Sequence, residues 1–347
     1  MSSTAAKNED FGDEIRQNSA VVWDKMDSGG MNMNKRCTDA ISALILTVLV
    51  PWLMFNTAML WTNQTQEPLP GPTVSKESEM TTPIRIMQSN GSVVTMDLEQ
   101  YLVGVVMGEM PQDFHPEALK AQAVVARTYT LRMRERSSKH PGADVCTNSE
   151  CCQSYREGDS AAIRGAVEAT MGQVLTYDGA LIEATYFSSS GGRTEDALAV
   201  WGSDVPYLQS VESPETGDGT DFLETVTFTQ DEFRSSLNID PEGPCGEWFG
   251  TVSYTEGGGV DTMEIGGATF KGTELRKLLG LRSTAMVIAP VGDHILITTR
   301  GYGHRVGMSQ YGAETMAVSG ATYDAILAYY YQGTSLELFV DKGNSVG

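Results

Sequence analysis

Between Asp39 and Glu67 the chain carries no charged residue, and the middle of that run reads ISALILTVLVPWLMFNTAMLW. About 20 apolar residues are enough to cross a bilayer, and a soluble core seldom buries so long an uninterrupted segment. Some thirty polar residues precede the run and no Ala-x-Ala-like cleavage site follows it, which marks an uncleaved anchor over 38–61 rather than a signal peptide. Pro51 is placed to kink the span, and Trp52 and Trp61 lie within it or near its outer end. Lys35 and Arg36 flank it on the N-terminal side, whereas the far side has no basic residue before Lys76. The positive-inside rule therefore predicts a single-pass protein of the cell membrane, with a cytoplasmic tail over 1–37 and the remainder extracytoplasmic.

The tail lacks periodicity, and 62–82 is a linker rich in Pro, Ser, Thr and Glu. Folding resumes at Pro83. With 41% hydrophobic residues among 347, the chain can bury a sizeable core. Its formal charge of -21 excludes the basic footprint that nucleic-acid binding needs. A polyanionic substrate would need a local cluster of Lys and Arg.

Apolar runs about Asn90-Gly91 predict a hairpin followed by a helix. Pro116 opens a second helix, with Leu119, Ala123, Ala126, Thr130 and Met133 as its buried stripe. Lys120 and Arg127 flank that stripe on one side and Gln122 on the other. Two strands meet at Asp178-Gly179. The polar stretch 212–262 reads as an insertion, part of an inserted second lobe over about 212–290. TFKGTELRKLLGL reads as strand, turn and helix. A strand, a glycine-rich loop and a helix follow over ILITTRGYGHRVGMSQYGAETMAVSG, and AILAYYYQGTSLELFV adds a helix and a closing strand. Without a regular βαβ repeat, the class is α+β: a membrane-anchored extracytoplasmic domain, 83–347, whose second lobe helps form a substrate groove.

Glu109, in Gly-Glu-Met-Pro, has Val105, Val106, Met107, Met110 and Phe114 around it in sequence, an apolar setting that lifts a carboxyl pKa towards operating pH. Glu117 and Glu168 read as surface groups. Ser188-Ser189-Ser190-Gly191-Gly192 offers hydroxyls and open backbone amides suited to sugar hydroxyls or acetamido groups, or else makes a tight turn; it has neither a P-loop ending nor a nucleophile elbow. Gly301, Gly303, Gly307 and Gly312 surround His304, Ser309, Gln310 and Tyr311, and Gln310 and Tyr311 are sugar-contact candidates. His304 is either a contact or a satisfied structural histidine.

His140, Cys146, Cys151 and Cys152 gather the donors that Zn²⁺ prefers, although their spacing is not that of a zinc finger. The alternatives are a disulfide from Cys146 to Cys151 or Cys152, or free thiols. Cys245 has no clear partner, and Cys37 borders the membrane on its cytoplasmic side, where acylation is open to it.

Five blocks then stand in order: YLVGVVMGEMP with HPEALKAQAVVARTYTL, YFSSSGGRTEDALAVWG, FKGTELRKLLGLRS, GYGHRVGMSQYGAETMA and YYYQGT. Over about 83–340 the chain resembles the stage II sporulation protein D family of lytic transglycosylases. The resemblance implies cleavage of peptidoglycan glycan strands during forespore engulfment, on strands stripped of stem peptides by a partner amidase and alongside membrane engulfment proteins. It implies Glu109 as the acid and a groove lined by Lys120, Gln122, Arg127 and Tyr129, with Arg127 on the lactyl carboxylate of muramic acid. Some members hold zinc through two His and two Cys; His140, Cys146 and Cys152 match by position and Cys151 replaces the second His, in a structural rather than catalytic role. Arg305 departs from a family loop that usually reads His-Gly-Val-Gly, and is expected to narrow or charge the groove. Some related members are non-catalytic enhancers of an amidase, and a zinc hydrolase built on the Cys cluster is a further alternative.

Hydrolysing a glycosidic bond typically takes two carboxyl groups. A lytic transglycosylase needs one. The acid protonates the leaving oxygen, and the sugar's own 6-hydroxyl attacks, surrendering its proton to the same carboxylate. The attack is intramolecular, which explains how a lone Glu can suffice.

Overall fold

Both predicted turns form. In the computed structural model, which describes residues 82–136, 139–215 and 223–340, β1 (Pro83–Met87) and β2 (Val93–Asp97) pair antiparallel about a loop in which Gly91 takes φ 83°. The expected tail, anchor and all of the linker but Thr82 lie outside the described residues. Among those residues no helix is long and apolar enough to cross a membrane.

Asp97 ends β2 and caps α1 (Leu98–Glu109), its carboxylate accepting from the Glu99 N–H at 2.9 Å. α2 (Pro116–Glu135) starts as expected, with Pro116 in its first turn and His115 as the cap. Its burial is wider than one stripe. Leu119, Ala123, Ala126 and Leu131 belong to one hydrophobic cluster with α1 and β1, while Ala118, Ala121, Val124 and Val125 belong to a second. A helix covered on both sides is the axis of the core, and its alanines let neighbours approach closely.

β3 (Val145–Cys146) adds to β1 in parallel, giving the order β2-β1-β3. α3 (Ala161–Ala169) packs on α1 and α2. β4 (Gln173–Tyr177) turns through Asp178 and Gly179, both at positive φ, into β5, which is only Ala180–Leu181. The chain beyond it does not continue that strand. β6 (Tyr186–Phe187) pairs elsewhere, and α4 (Ala197–Trp201) follows.

The stretch expected as an insertion folds as β7 (Glu224–Thr229), α5 (Gln230–Leu237), β8 (Phe249–Tyr254) and the start of β9 (Val260–Ile265). β10 (Ala268–Lys271) and α6 (Gly272–Leu278) are the predicted strand, turn and helix. With β11 (Met286–Val291) and β12 (His294–Thr299) they form two antiparallel sheets, β10-β9-β8 and β11-β12-β7. Phe233, Trp248, Met263, Leu275 and Ile295 belong to a third cluster there.

β13 (Met308–Ser309) lies parallel to β6. α7 (Gln310–Val318) and α8 (Tyr323–Tyr330) pack against α2, and β14 (Ser335–Leu338) closes on β4. Helices and strands mix without a βαβ repeat, so the α+β class holds.

Candidate functional site

Glu109 is the last residue of α1. Two glycines set what reaches it. A Cβ on Gly104 would strike the Tyr155 ring at 2.2 Å, and one on Gly108 would meet the Ser154 backbone at 2.9 Å. One turn apart, they leave a bare face on which segment 154–155 lies, so that the Ser154 N–H donates to Glu109 Oε1 at 2.6 Å. Gln310 Nε2, from the first turn of α7, approaches Oε2 at 3.4 Å, and the Tyr186 hydroxyl faces the carboxyl group.

Burial raises the Glu109 pKa above the ordinary carboxylate value, against the bonds from Ser154 and Gln310. The negative end of the α1 dipole acts in the same direction as burial. Which way the Tyr186 bond points is set by a chain of partners. Thr130 Oγ1 donates to the Ala126 carbonyl at 2.8 Å and accepts from Gln153 Nε2 at 2.9 Å; Gln153 Oε1 then accepts from the Tyr186 hydroxyl at 3.1 Å. Having spent its only proton on Gln153, the Tyr186 oxygen faces Glu109 as an acceptor. It therefore favours the protonated acid, and we assign it that sign.

The cavity beside Glu109 holds about 580 Å³ and includes Tyr129, Tyr186, Phe187, Tyr302, His304 and Gln310 in its wall. Burial, ahead of the nearby cysteines, raises the Tyr129 pKa and keeps its hydroxyl a donor. His304 Nδ1 accepts from the Val306 N–H at 3.1 Å, and burial, then Arg276, lowers its pKa to about 4. It is a neutral, satisfied histidine that still forms part of the wall.

Other expected groove residues sit elsewhere. Arg127 is wholly buried: its guanidinium grips Glu99 at 2.6 and 2.8 Å and the carbonyls of Gln173 and Val167. No face of it is left for a substrate carboxylate. Lys120 pairs with Glu117 at 2.6 Å and lies over the Tyr323 ring, outside the cavity wall. Gln122 is buried, and neither end of its amide has a hydrogen-bond partner among the described residues. Tyr311 packs edge-on against Phe114.

Ser189, Ser190 and Gly191 do form a cradle of donors, but it holds Glu215. That carboxylate accepts from Ser189 Oγ at 2.6 Å, Ser190 N at 2.7 Å, Ser190 Oγ at 2.6 Å, Gly191 N at 3.0 Å and Ser309 Oγ at 2.5 Å. Ser189 and Ser190 are buried, so the loop braces the α7 cap next to Gln310. Arg305 neither narrows nor charges the cavity. At φ 66° it turns inward, 2% exposed, and bonds the carbonyls of Ser190, Arg193 and Gly257 and Glu195 Oε1 at 3.1 Å. Sequence reasoning missed Ser154, Gln153, Tyr186 and Glu215 as individual residues. Only Tyr186 stood in a quoted block.

The four metal candidates come together. One donor atom from each of His140, Cys146, Cys151 and Cys152 lies within 4.8 Å of the others, and the three cysteines are free thiols. His140 Nε2 is 3.4 Å from Cys152 Sγ and 3.5 Å from Cys151 Sγ. Zn–N and Zn–S bonds of about 2.0 and 2.3 Å in a tetrahedron put N and S about 3.5 Å apart. The donor set is one that zinc would fit, and both adjacent cysteines lie at that spacing from His140. Burial pushes the Cys152 thiol up to about 12, so in the absence of a cation it stays protonated.

A family model described as stage II sporulation protein matches residues 87–177, which include Glu109 and the His140–Cys152 cluster. Stage II sporulation protein D of Bacillus subtilis is 40% identical over 291 residues, 78% of this chain and 84% of that protein. Its counterpart in Bacillus amyloliquefaciens is 40% identical over 277 residues, 75% and 80% of the two chains. The amidase enhancer of Bacillus subtilis is 30% identical over 296 residues, 68% of this chain and 40% of the enhancer. With that reach and identity, this chain belongs to the stage II sporulation protein D family.

Proposed function

We propose that this sporulation protein is a peptidoglycan lytic transglycosylase, cutting peptide-free glycan strands between N-acetylmuramic acid and N-acetylglucosamine to leave 1,6-anhydro-muramyl ends during forespore engulfment. The observation that carries it is one buried carboxyl group, Glu109, at a helix C-terminus in a cavity wall, where burial raises its pKa and so favours the protonated acid; the wall's other carboxyl, Glu150, is solvent-exposed. The acid protonates the leaving glycosidic oxygen. As the bond breaks, positive charge builds on the ring carbon beside the new carboxylate, which the Ser154 N–H and Gln310 amide hold in place. The 6-hydroxyl of the muramyl residue then closes on that carbon, and Glu109 takes its proton. Tyr129 and Gln310 are the expected groove residues positioned to meet the sugar.

His140, Cys146, Cys151 and Cys152 would hold zinc as a structural clasp beside the groove. Bound there, the ion would fix the 140–152 loop and take no share in the proton transfers. The domain is proposed to sit outside the cell on the 38–61 anchor, with 212–290 as a second lobe beside the groove and an amidase as partner. A second reading, a glycan-binding enhancer of that amidase, is favoured by the similarity to the amidase enhancer.

Mass spectrometry of peptide-free strands treated with the full chain tests this. Anhydro-muramyl ends that vanish in Glu109→Gln are expected. Reducing ends would replace the reading with hydrolysis. Binding without cleavage, alongside amidase stimulation that survives Glu109→Gln, would replace it with the enhancer.

A further inference from the structure

Two large aromatic side chains by the Glu109 cavity remain exposed: Tyr302, in its wall, at 47%, and Trp201, whose ring meets that of the wall residue His304, at 44%. Trp201 is the last residue of α4, which stops there because Gly202 takes the left-handed conformation, φ 74°. Its ring lies 5.4 Å from that of His304, whose other neighbour is Phe187 at 5.7 Å. His304, Phe187 and Tyr302 are all part of the cavity wall. A continuous aromatic path therefore runs from the wall of the cavity out to Trp201.

Neighbours brace the path. The Arg282 guanidinium sits 5.4 Å from the centre of the Tyr302 ring and pairs with Glu224 at 2.9 Å. His304, uncharged at working pH, gives Trp201 a neutral backing. A pyranose ring suits such a surface, because its C–H face is apolar and its hydroxyls project at the edge. Rigid aromatic side chains with a polar rim match both parts at little entropic cost.

We propose that Trp201 and Tyr302 form a stacking platform on which sugar rings of the glycan strand rest as the strand leaves the Glu109 cavity. The platform rests on the glycan reading above, and its occupant is the part of the strand beyond the scissile bond. It would set the minimum strand length gripped, a property separate from the acid chemistry.

Calorimetric titration of the full chain with two probes tests this: peptide-free glycan strands, which carry lactyl carboxylates, and a chitin hexamer, which does not. Trp201→Ala and Tyr302→Ala should each weaken binding of both probes about tenfold, the scale of a lost aromatic anchor. Trp201→Phe should recover most of the affinity. Thermal midpoints within the error of the wild type would exclude misfolding, and a variant that fails this check is replaced by its Phe or Leu counterpart. Unchanged affinity in both alanine variants overturns the platform and leaves the transglycosylase reading standing. Loss confined to the charged strands also overturns it, since the contact would then be electrostatic. A wild type that binds neither probe removes the glycan reading itself, and the platform with it.

Discussion

Glu215 and Ser309 stand 94 positions apart and meet at 2.5 Å, tying the Ser-Ser-Ser-Gly-Gly loop to the first turn of α7. Replacing Glu215 with Ala would leave the buried hydroxyls of Ser189 and Ser190 without their acceptor. Unfolding should become easier by about 2–4 kcal/mol, lowering the thermal midpoint by roughly 5–15 °C. Glu215→Gln should fall between, since it keeps the shape but faces donors with an amide. Calorimetric melting of the variants checks both.

Glu109→Gln should reduce strand cleavage by about 10²–10⁴-fold, the usual contribution of a positioned acid. Its effect on stability carries the opposite sign. Folding raises the Glu109 pKa above its unfolded value of 4.5, so the folded state binds its proton more tightly. Stability contributed by that proton is complete below the unfolded value and is lost as pH climbs through the folded one. The Gln variant, neutral throughout, should therefore melt higher than the wild type near pH 7. The gap should close below the unfolded value. Melting curves across pH measure it.

The Thr130–Gln153–Tyr186 chain predicts how cleavage depends on pH. The acid must be protonated, so activity falls on the alkaline side as Glu109 ionises. Gln153→Leu removes the acceptor that claims the Tyr186 proton, freeing it to donate to the carboxylate. Tyr186→Phe removes an acceptor from the protonated acid. Both should move the alkaline limb to lower pH. Were Tyr186 instead a donor to Glu109, Tyr186→Phe would move it upward, and a rate–pH profile distinguishes the two.

Much of this site could be read from the chain alone, but unevenly. Glu109 and the His140–Cys152 cluster are local: each is carried by residues close in sequence, so motif and spacing reach them. The turns at Asn90-Gly91 and Asp178-Gly179 follow from the backbone shapes those pairs allow. Arg127 was misplaced because its partner, Glu99, lies on another helix, and nothing in helical periodicity separates a buried, paired arginine from a solvated one. The second buried face of α2 is half alanine, a weak apolar signal, and its Val124 and Val125 lie off the single stripe that helical spacing picks out. Glu215 sits at the start of a polar stretch, where one acid among many carries no mark of its own. Ser154 was invisible for another reason: it acts through its backbone, and the cue lay in Gly104 and Gly108 on the facing helix.

Metal content gives a fourth prediction. One zinc per chain should be found by elemental analysis, and removing it with a chelator should lower the melting temperature, with recovery on adding one equivalent. Cys151→Ser and Cys152→Ser should each weaken retention by at least about tenfold, as both thiols sit at ligand distance from His140. A chelated protein that melts normally and still cleaves strands would show that the cluster holds no structural ion.

Arg305 links loops from three parts of the chain, and its place has a consequence for how such a sequence can change. A glycine there would relax the left-handed backbone, yet would strand Glu195, 1% exposed, without its guanidinium. Exchanging Glu195 alone would leave the buried guanidinium charge with only the carbonyls of Ser190, Arg193 and Gly257. Removing either partner of a buried pair typically costs about 3–5 kcal/mol, so neither step is tolerable by itself although the double exchange can be. The two positions are therefore coupled and their substitutions should be non-additive: a 300–312 loop grafted without an arginine at 305 leaves the Glu195 carboxylate with only the Thr255 hydroxyl and the Gly259 N–H as partners.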